Sequence, residues 1–212
     1  MHRDQARSEL NIWLDLFPES SRQCVVSGTT LFSVDDTVDR IYVVESGSVA
    51  ELRHEHGSTH AICLCRVGML VGIRWSGAPM HRHVVEAVTL SDTVVRSIPL
   101  DVFVRSTRED GRYTNTMLAD MAKRVDSARR LSDCLAQPSA RDHILSVMRA
   151  ITEECGFAGG EREDVTVSAP LLQRLTGCPS SAIGSAMQDL LTSGLVKASR
   201  QGFQLSHTIR SV

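Results

Sequence analysis

The sequence predicts an α+β protein in three parts: an N-terminal antiparallel β-roll (a double-stranded β-helix or jelly roll), a long helix, and a C-terminal helical domain closed by a hairpin. Three observations predict it. Short β-rich runs separated by Gly, Asp and Ser fill Cys24 to Pro99. Apolar residues then take the three-and-four spacing of a helix around residues 113–136. A helix, a Gly-containing turn, a second helix and a hairpin follow from Ser168. The 212 residues are 42% hydrophobic and 23% charged, with mean hydropathy -0.07, a composition that supports real cores. A net charge of -2 and a pI near 6.4 exclude a polybasic protein, so any nucleic-acid contact must come from local charge. No apolar run approaches the ~20 residues of a membrane helix. The N-terminus lacks the apolar core and small-residue cleavage site of a secretory signal, and a cytoplasmic protein is expected.

Each element has a local reason. Residues 10–17, LNIWLDLF, read as a short amphipathic helix ended by Pro18. Ile41–Val44, turned by Glu45-Ser46-Gly47 into Ser48–Arg53, read as a hairpin, and His56-Gly57-Ser58 turns the chain into a strand over His60–Arg66. In the long helix Leu118, Met121, Val125, Ala128, Ser132 and Leu135 form a heptad seam with one polar interruption, and charged residues fill the outer positions. Such a seam suits a second copy of itself, although a helix packed on its own sheet shares the period. Gln137-Pro138-Ser139 breaks the helix. Ser139 caps the next one, which runs to about Glu154 with Ile144, Leu145, Met148 and Ile151 on one face. Residues 156–164 read as a flexible polar loop.

The most informative segment begins at Ser168. Ser168 caps a short helix with Pro170 in its first turn, where a missing N–H costs little, and Leu171, Leu172 and Leu175 facing inward. Thr176-Gly177-Cys178-Pro179 is a tight turn. The second helix buries Ile183, Met187, Leu190 and Leu191 and stops at Ser193-Gly194; Leu195–Ala198 and Phe203–Leu205 make a two-stranded wing. This is the winged helix-turn-helix order, in which the first helix braces the second for entry into a major groove. A small helical domain used for protein contact is the alternative. The candidate DNA-contacting residues are Ser168, Arg174, Ser180, Ser181, Ser185, Gln188, Lys197 and Arg200. Serine discriminates poorly between bases, and residues 138–212 hold seven Arg or Lys against seven Asp or Glu. The reading is therefore of weak or shape-dependent recognition, with Arg174, Lys197 and Arg200 on phosphates.

Over residues 20–206 the chain resembles the CRP/FNR family of bacterial transcription regulators. The matching residues are Gly28, the run Ile41-Tyr42-Val43-Val44 with Gly47-Ser48-Val49, Gly68 and Gly72, Met121-Ala122-Lys123-Arg124, Arg141, and Leu175-Thr176-Gly177-Cys178 with Ile183-Gly184. The resemblance implies a homodimer on a two-fold-symmetric double-stranded DNA operator, RNA polymerase as a further partner, and a small-molecule effector or none. It divides the chain into a sensor domain at 1–112, a dimerisation helix at 113–137 with Leu118, Met121, Val125, Ala128 and Leu135 at the interface, and a DNA-binding domain at 138–212. The implied effector pocket comprises Gly72, Ile73, Arg82, His83, Ala128 and Arg129. Where cyclic-AMP-binding members carry Gly-Glu, this chain has Gly72-Ile73; His83 replaces a serine, and Ala128-Arg129 replace a Thr-Ser pair. Cyclic AMP is not the expected effector.

No cofactor or metal is expected. Cys24, Cys63, Cys65, Cys134, Cys155 and Cys178 lack paired CxxC spacing and read as free thiols. His54, His56, His60, His81 and His83 with Cys63 and Cys65 keep a haem-responsive alternative open, against the plainer reading of exposed polar positions. Cys178, in the turn of the DNA-binding unit, is a candidate redox thiol; its alternative is a buried structural one. The absence of G-x-S-x-G, P-loop, H-E-x-x-H and paired-carboxylate patterns makes an enzyme the weakest reading.

Overall fold

The computed structural model describes residues 2–55, 57–73, 82–155, 157–158, 161–162 and 165–206. The chain divides into two compact units: residues 1–51 with 65–126, and residues 52–64 with 127–212. His56 and His81 lie outside the described residues, as do 74–80.

The first unit opens with α1 (His2–Leu16). The helix starts well before the expected Leu10, because Arg, Gln, Ala and Glu in the polar lead-in all favour helix and no breaker interrupts them. Strands β1 (Gln23–Val25), β2 (Thr30–Phe32), β3 (Arg40–Ser46), β4 (Val49–Glu55), β5 (Ser58–Cys65), β6 (Leu70–Val71), β7 (Glu86–Thr89) and β8 (Thr93–Pro99) follow in chain order, residues 52–64 of β4 and β5 being counted with the second unit. They form two four-stranded sheets, ordered β1-β8-β3-β6 and β2-β7-β4-β5.

This order corrects one expectation. β3 and β4 are not a hairpin: β3 pairs with β8 and β6, whereas β4 lies in the other sheet. Gly47 makes the corner between sheets with φ +76°, and a Cβ there would stand 2.5 Å from the Asp92 carbonyl oxygen. The neighbouring backbone is tied down too, since Leu90 N–H donates to the Ser48 carbonyl at 2.8 Å. β4 and β5 are hairpin neighbours, as expected.

A helix absent from the sequence reading, α2 (Leu100–Glu109), follows β8 and buries Phe103. Its signal was present: Pro99 precedes the helix, and Leu100, Phe103 and Val104 take helical spacing. The core of this unit gathers Trp13, Phe17, Phe103 and Tyr113 over Ile41, Val43, Leu70 and Ile98. The Trp13 ring stacks on Tyr113 at 6.0 Å between centroids. Burial of these large rings is the main favourable term for the unit.

Helix α3 (Gly111–Leu135) contributes residues 111–126 to the first unit and 127–135 to the second. In the second unit α4 (Ala140–Cys155) is capped as expected, with Asp142 N–H donating to Ser139 Oγ at 3.1 Å. The expected loop at 156–164 contains a two-residue strand pair, β9 (Phe157–Ala158) with β10 (Glu161–Arg162). Helices α5 (Ala169–Thr176) and α6 (Ser180–Thr192) and the wing strands β11 (Val196–Ser199) and β12 (Gly202–Leu205) complete it. Ile144, Met148, Ile151, Leu172, Leu175, Ile183, Met187, Leu190 and Val196 form the core. Leu191, expected inside, is 37% exposed, because only one stripe of α6 faces that core.

The corner at Gly47 generates a prediction. Gly47→Ala places a methyl group against backbone in the left-handed region, and destabilisation by more than about 2 kcal/mol is expected in urea titrations followed by tryptophan fluorescence.

Candidate functional site

The interior of the first unit is organised by Arg124. Its guanidinium donates to Asp120 Oδ2 at 2.8 Å, to Glu51 Oε2 at 2.9 Å, and to the Leu70 carbonyl. The two carboxylates also hold backbone: Leu70 N–H donates to Asp120 Oδ1 at 3.2 Å, and Gly72 N–H to Glu51 Oε1 at 3.3 Å. All three side chains are buried, with Glu51 at 0% exposure. Burial raises the Asp120 carboxyl above its ordinary value, opposed by Arg124, while Glu51 adds to the rise. No local pattern in the sequence links Glu51 to Arg124, and Asp120 and Arg124, expected among the charged outer positions of the long helix, are instead buried, because their charges pair with Glu51 and backbone groups of the roll.

The roll residues expected in the effector pocket take three different settings. Gly72 and Ile73 are buried, and a Cβ on Gly72 would stand 3.3 Å from both His83 Cε1 and Phe32. The His83 ring, 3% exposed, stacks on Phe32 with centroids 3.6 Å apart. Arg82 is exposed and donates to the Asp35 carbonyl. Ala128 and Arg129 are exposed on α3 and belong to the second unit.

Helix α3 presents two faces. Tyr113, Thr116, Asp120, Arg124, Ser127, Leu131 and Cys134 are buried. The expected seam is turned outward: Leu118 is 60%, Val125 50% and Leu135 46% exposed, Ala128 is exposed, and Met121 is partly buried against the core.

In the second unit the Ser168 hydroxyl accepts from Leu171 N–H at 3.4 Å, so it is committed to capping α5. Gly177 ends α5 in the left-handed region, φ +71°. Ser180, Ser181, Ser185 and Gln188 are all exposed on α6, although the Ser180 hydroxyl donates to Gln173 Oε1 at 2.9 Å. Lys197 and Arg200 are exposed on the wing, and Arg174 is half-buried on α5. The first turn of α6 carries no acidic residue, which leaves its positive dipole end uncompensated. A groove of about 390 Å³ runs between α5, α6 and the wing, lined by Pro170, Ile183, Met187, Leu191 and Phe203 among others. No helix among the described residues is long and apolar enough to cross a membrane.

Two predictions follow from the buried groups. Arg124→Met leaves Glu51 and Asp120 buried without a cation, and a loss of about 3–5 kcal/mol is expected in chemical denaturation. Burial holds His83 below its ordinary value of 6.5, against the opposing charges of Asp36, Glu51 and Asp39. A histidine kept neutral by folding contributes stability above its unfolded pKa that is lost as pH falls through the folded one. The unfolding midpoint should therefore drop between pH 7 and about 5.5, and His83→Phe should flatten that slope.

Comparison with known proteins places this geometry. Residues 22–110 match the cyclic nucleotide-binding domain. No curated protein matches the chain by sequence. Among solved structures, the c-di-GMP responsive global regulator CLP of Xanthomonas campestris has a TM-score of 0.70 at 21% identity, covering 94% of this chain and 98% of that one. A CRP-family transcriptional regulator of Thermus thermophilus has a TM-score of 0.69 at 15% identity, covering 86% and 91%. FixK2 from Bradyrhizobium japonicum has a TM-score of 0.66 at 16% identity, covering 88% and 91%. Residues 22–110 are thus similar to the cyclic nucleotide-binding domain, and the chain has the fold of the CRP/FNR transcriptional regulators.

Proposed function

We propose that the protein is a cytoplasmic, homodimeric transcription regulator that binds double-stranded DNA through α6 and the wing and does not respond to cyclic AMP. The observation that carries the DNA reading is the exposed row Ser181, Ser185 and Gln188 on α6, flanked by Lys197 and Arg200 on the wing. Short hydroxyl side chains let the helix approach base edges closely while giving little base discrimination, and the wing cations add phosphate contacts. Arg174 is the third phosphate-contacting candidate. The outward residues Leu118, Val125, Ala128 and Leu135 support the dimer, because exposed apolar residues at steps of seven and three lie along one stripe of a helix, with the partly buried Met121 at its edge, and such a stripe suits an identical partner. In this reading residues 1–112 are the sensor, 113–137 the dimerisation helix and 138–212 the DNA-binding domain, with RNA polymerase as the further partner.

The altered pocket has its own support. Ile73 offers no acceptor to a ribose hydroxyl, Glu51 already takes the Gly72 N–H, and His83 fills space against Phe32 and Gly72. A second reading, a partner-binding module without operator recognition, is favoured by the apolar groove beside α6 and the half-exposed Leu191 at its lip.

Selection from random duplexes tests the function. The expected product is a two-fold-symmetric site with half-sites about 34 Å apart, bound by a dimer in sedimentation. Leu118→Glu with Val125→Glu should give monomers that no longer retard it. Lys197→Ala and Arg200→Ala should each weaken binding across sequences and lower the log affinity–log salt slope by about 1. No retardation of any duplex at low salt overturns DNA binding in favour of the partner-binding module.

A further inference from the structure

The turn between α5 and α6 holds a thiol that DNA recognition does not use. Cys178 is partly buried, and its Sγ lies 3.7 Å from Nδ1 of His143 on α4. His143 is 9% exposed, and its other nitrogen, Nε2, has no hydrogen-bond partner among the described residues. A buried imidazole nitrogen without a partner is costly, and here the same ring faces a sulfur with its opposite edge. Burial, and then His60, hold the imidazole below its usual range, and its Nδ1 faces the sulfur.

The turn itself is held in place. Cys178 N–H donates to Thr176 Oγ1 at 3.2 Å, and a Cβ on Gly177 would stand 3.0 Å from the Thr59 carbonyl oxygen of β5. These contacts fix the backbone of the turn that carries Cys178. Cys63, Cys65 and Cys134 are buried, whereas Cys24 is exposed and provides a reference.

We propose that Cys178 and His143 form a thiol–imidazole pair that reacts with hydroperoxides. The sulfur attacks one peroxide oxygen, so that an S–O bond forms and the O–O bond breaks. His143 Nδ1 takes the thiol proton and returns a proton to the leaving oxygen. With hydrogen peroxide the products are Cys178 sulfenic acid and water; sulfur loses two electrons and the peroxide gains them.

The test uses the full chain, hydrogen peroxide and dimedone, with adducts located by peptide mass spectrometry. Cys178 should be trapped at least about tenfold faster than Cys24. His143→Gln, whose amide accepts a hydrogen bond but relays no proton, should slow trapping at Cys178 by about fivefold or more and leave Cys24 unchanged. Added imidazole should restore the rate in His143→Ala, a recovery that a purely structural role would not show. Equal trapping at Cys178 and Cys24, or undiminished trapping at Cys178 in both His143 variants, overturns the proposal. The readout is a covalent adduct, so it stands apart from whether the chain retards a duplex.

Discussion

One guanidinium ties the first unit together. Arg124 meets Asp120, Glu51 and the Leu70 carbonyl, and the two carboxylates in turn hold the N–H groups of Leu70 and Gly72. A helix and two strands from different sheets are thereby fixed to one another. The energetics set what such a hub can do. Desolvating each ion costs several kcal/mol, and the attraction within each pair offsets that only when geometry and hydrogen bonds are complete. Burial above all, with a smaller push from the Glu51 charge, raises the Asp120 carboxyl against the pull of Arg124, so one cation does not fully compensate two buried carboxylates. The intact hub therefore adds little net stability, yet any other placement of α3 against the roll strands a buried charge. It acts on register.

That hub was invisible in the sequence because 73 residues separate Glu51 from Arg124 and neither end carries a local signature. Local features were readable. The Ser139 and Ser168 caps, the turn at Gly177 and the wing each follow from a few adjacent residues, and the structure has each. The β3–β4 hairpin shows the limit. Alternation and a Gly turn say that two strands meet a corner, but not that the second joins the other sheet. Leu191 fails for a related reason: helical spacing identifies an apolar stripe without saying how wide the covering core is.

The candidate sites divide the same way. Residues chosen for position on an element, such as Ser181, Ser185, Gln188, Lys197 and Arg200, are found on the outside of that element. Those chosen by family position within the roll are less uniform, because their settings depend on side chains far away in sequence. His83 turns inward onto Phe32, while the adjacent Arg82 stays outside on the Asp35 carbonyl. Ser168 and Ser180 have the right residue type, yet both hydroxyls already serve the local fold.

The second unit is built from two stretches distant in the chain, 52–64 and 127–212. Gly177 abuts the Thr59 carbonyl, and Leu64 N–H donates to Ser127 Oγ at 2.9 Å. A C-terminal fragment cut at the Gln137-Pro138 break would keep every wing and α6 side chain but lose the strand that backs the turn. Transplanting this module onto another scaffold therefore means moving two separated gene segments together.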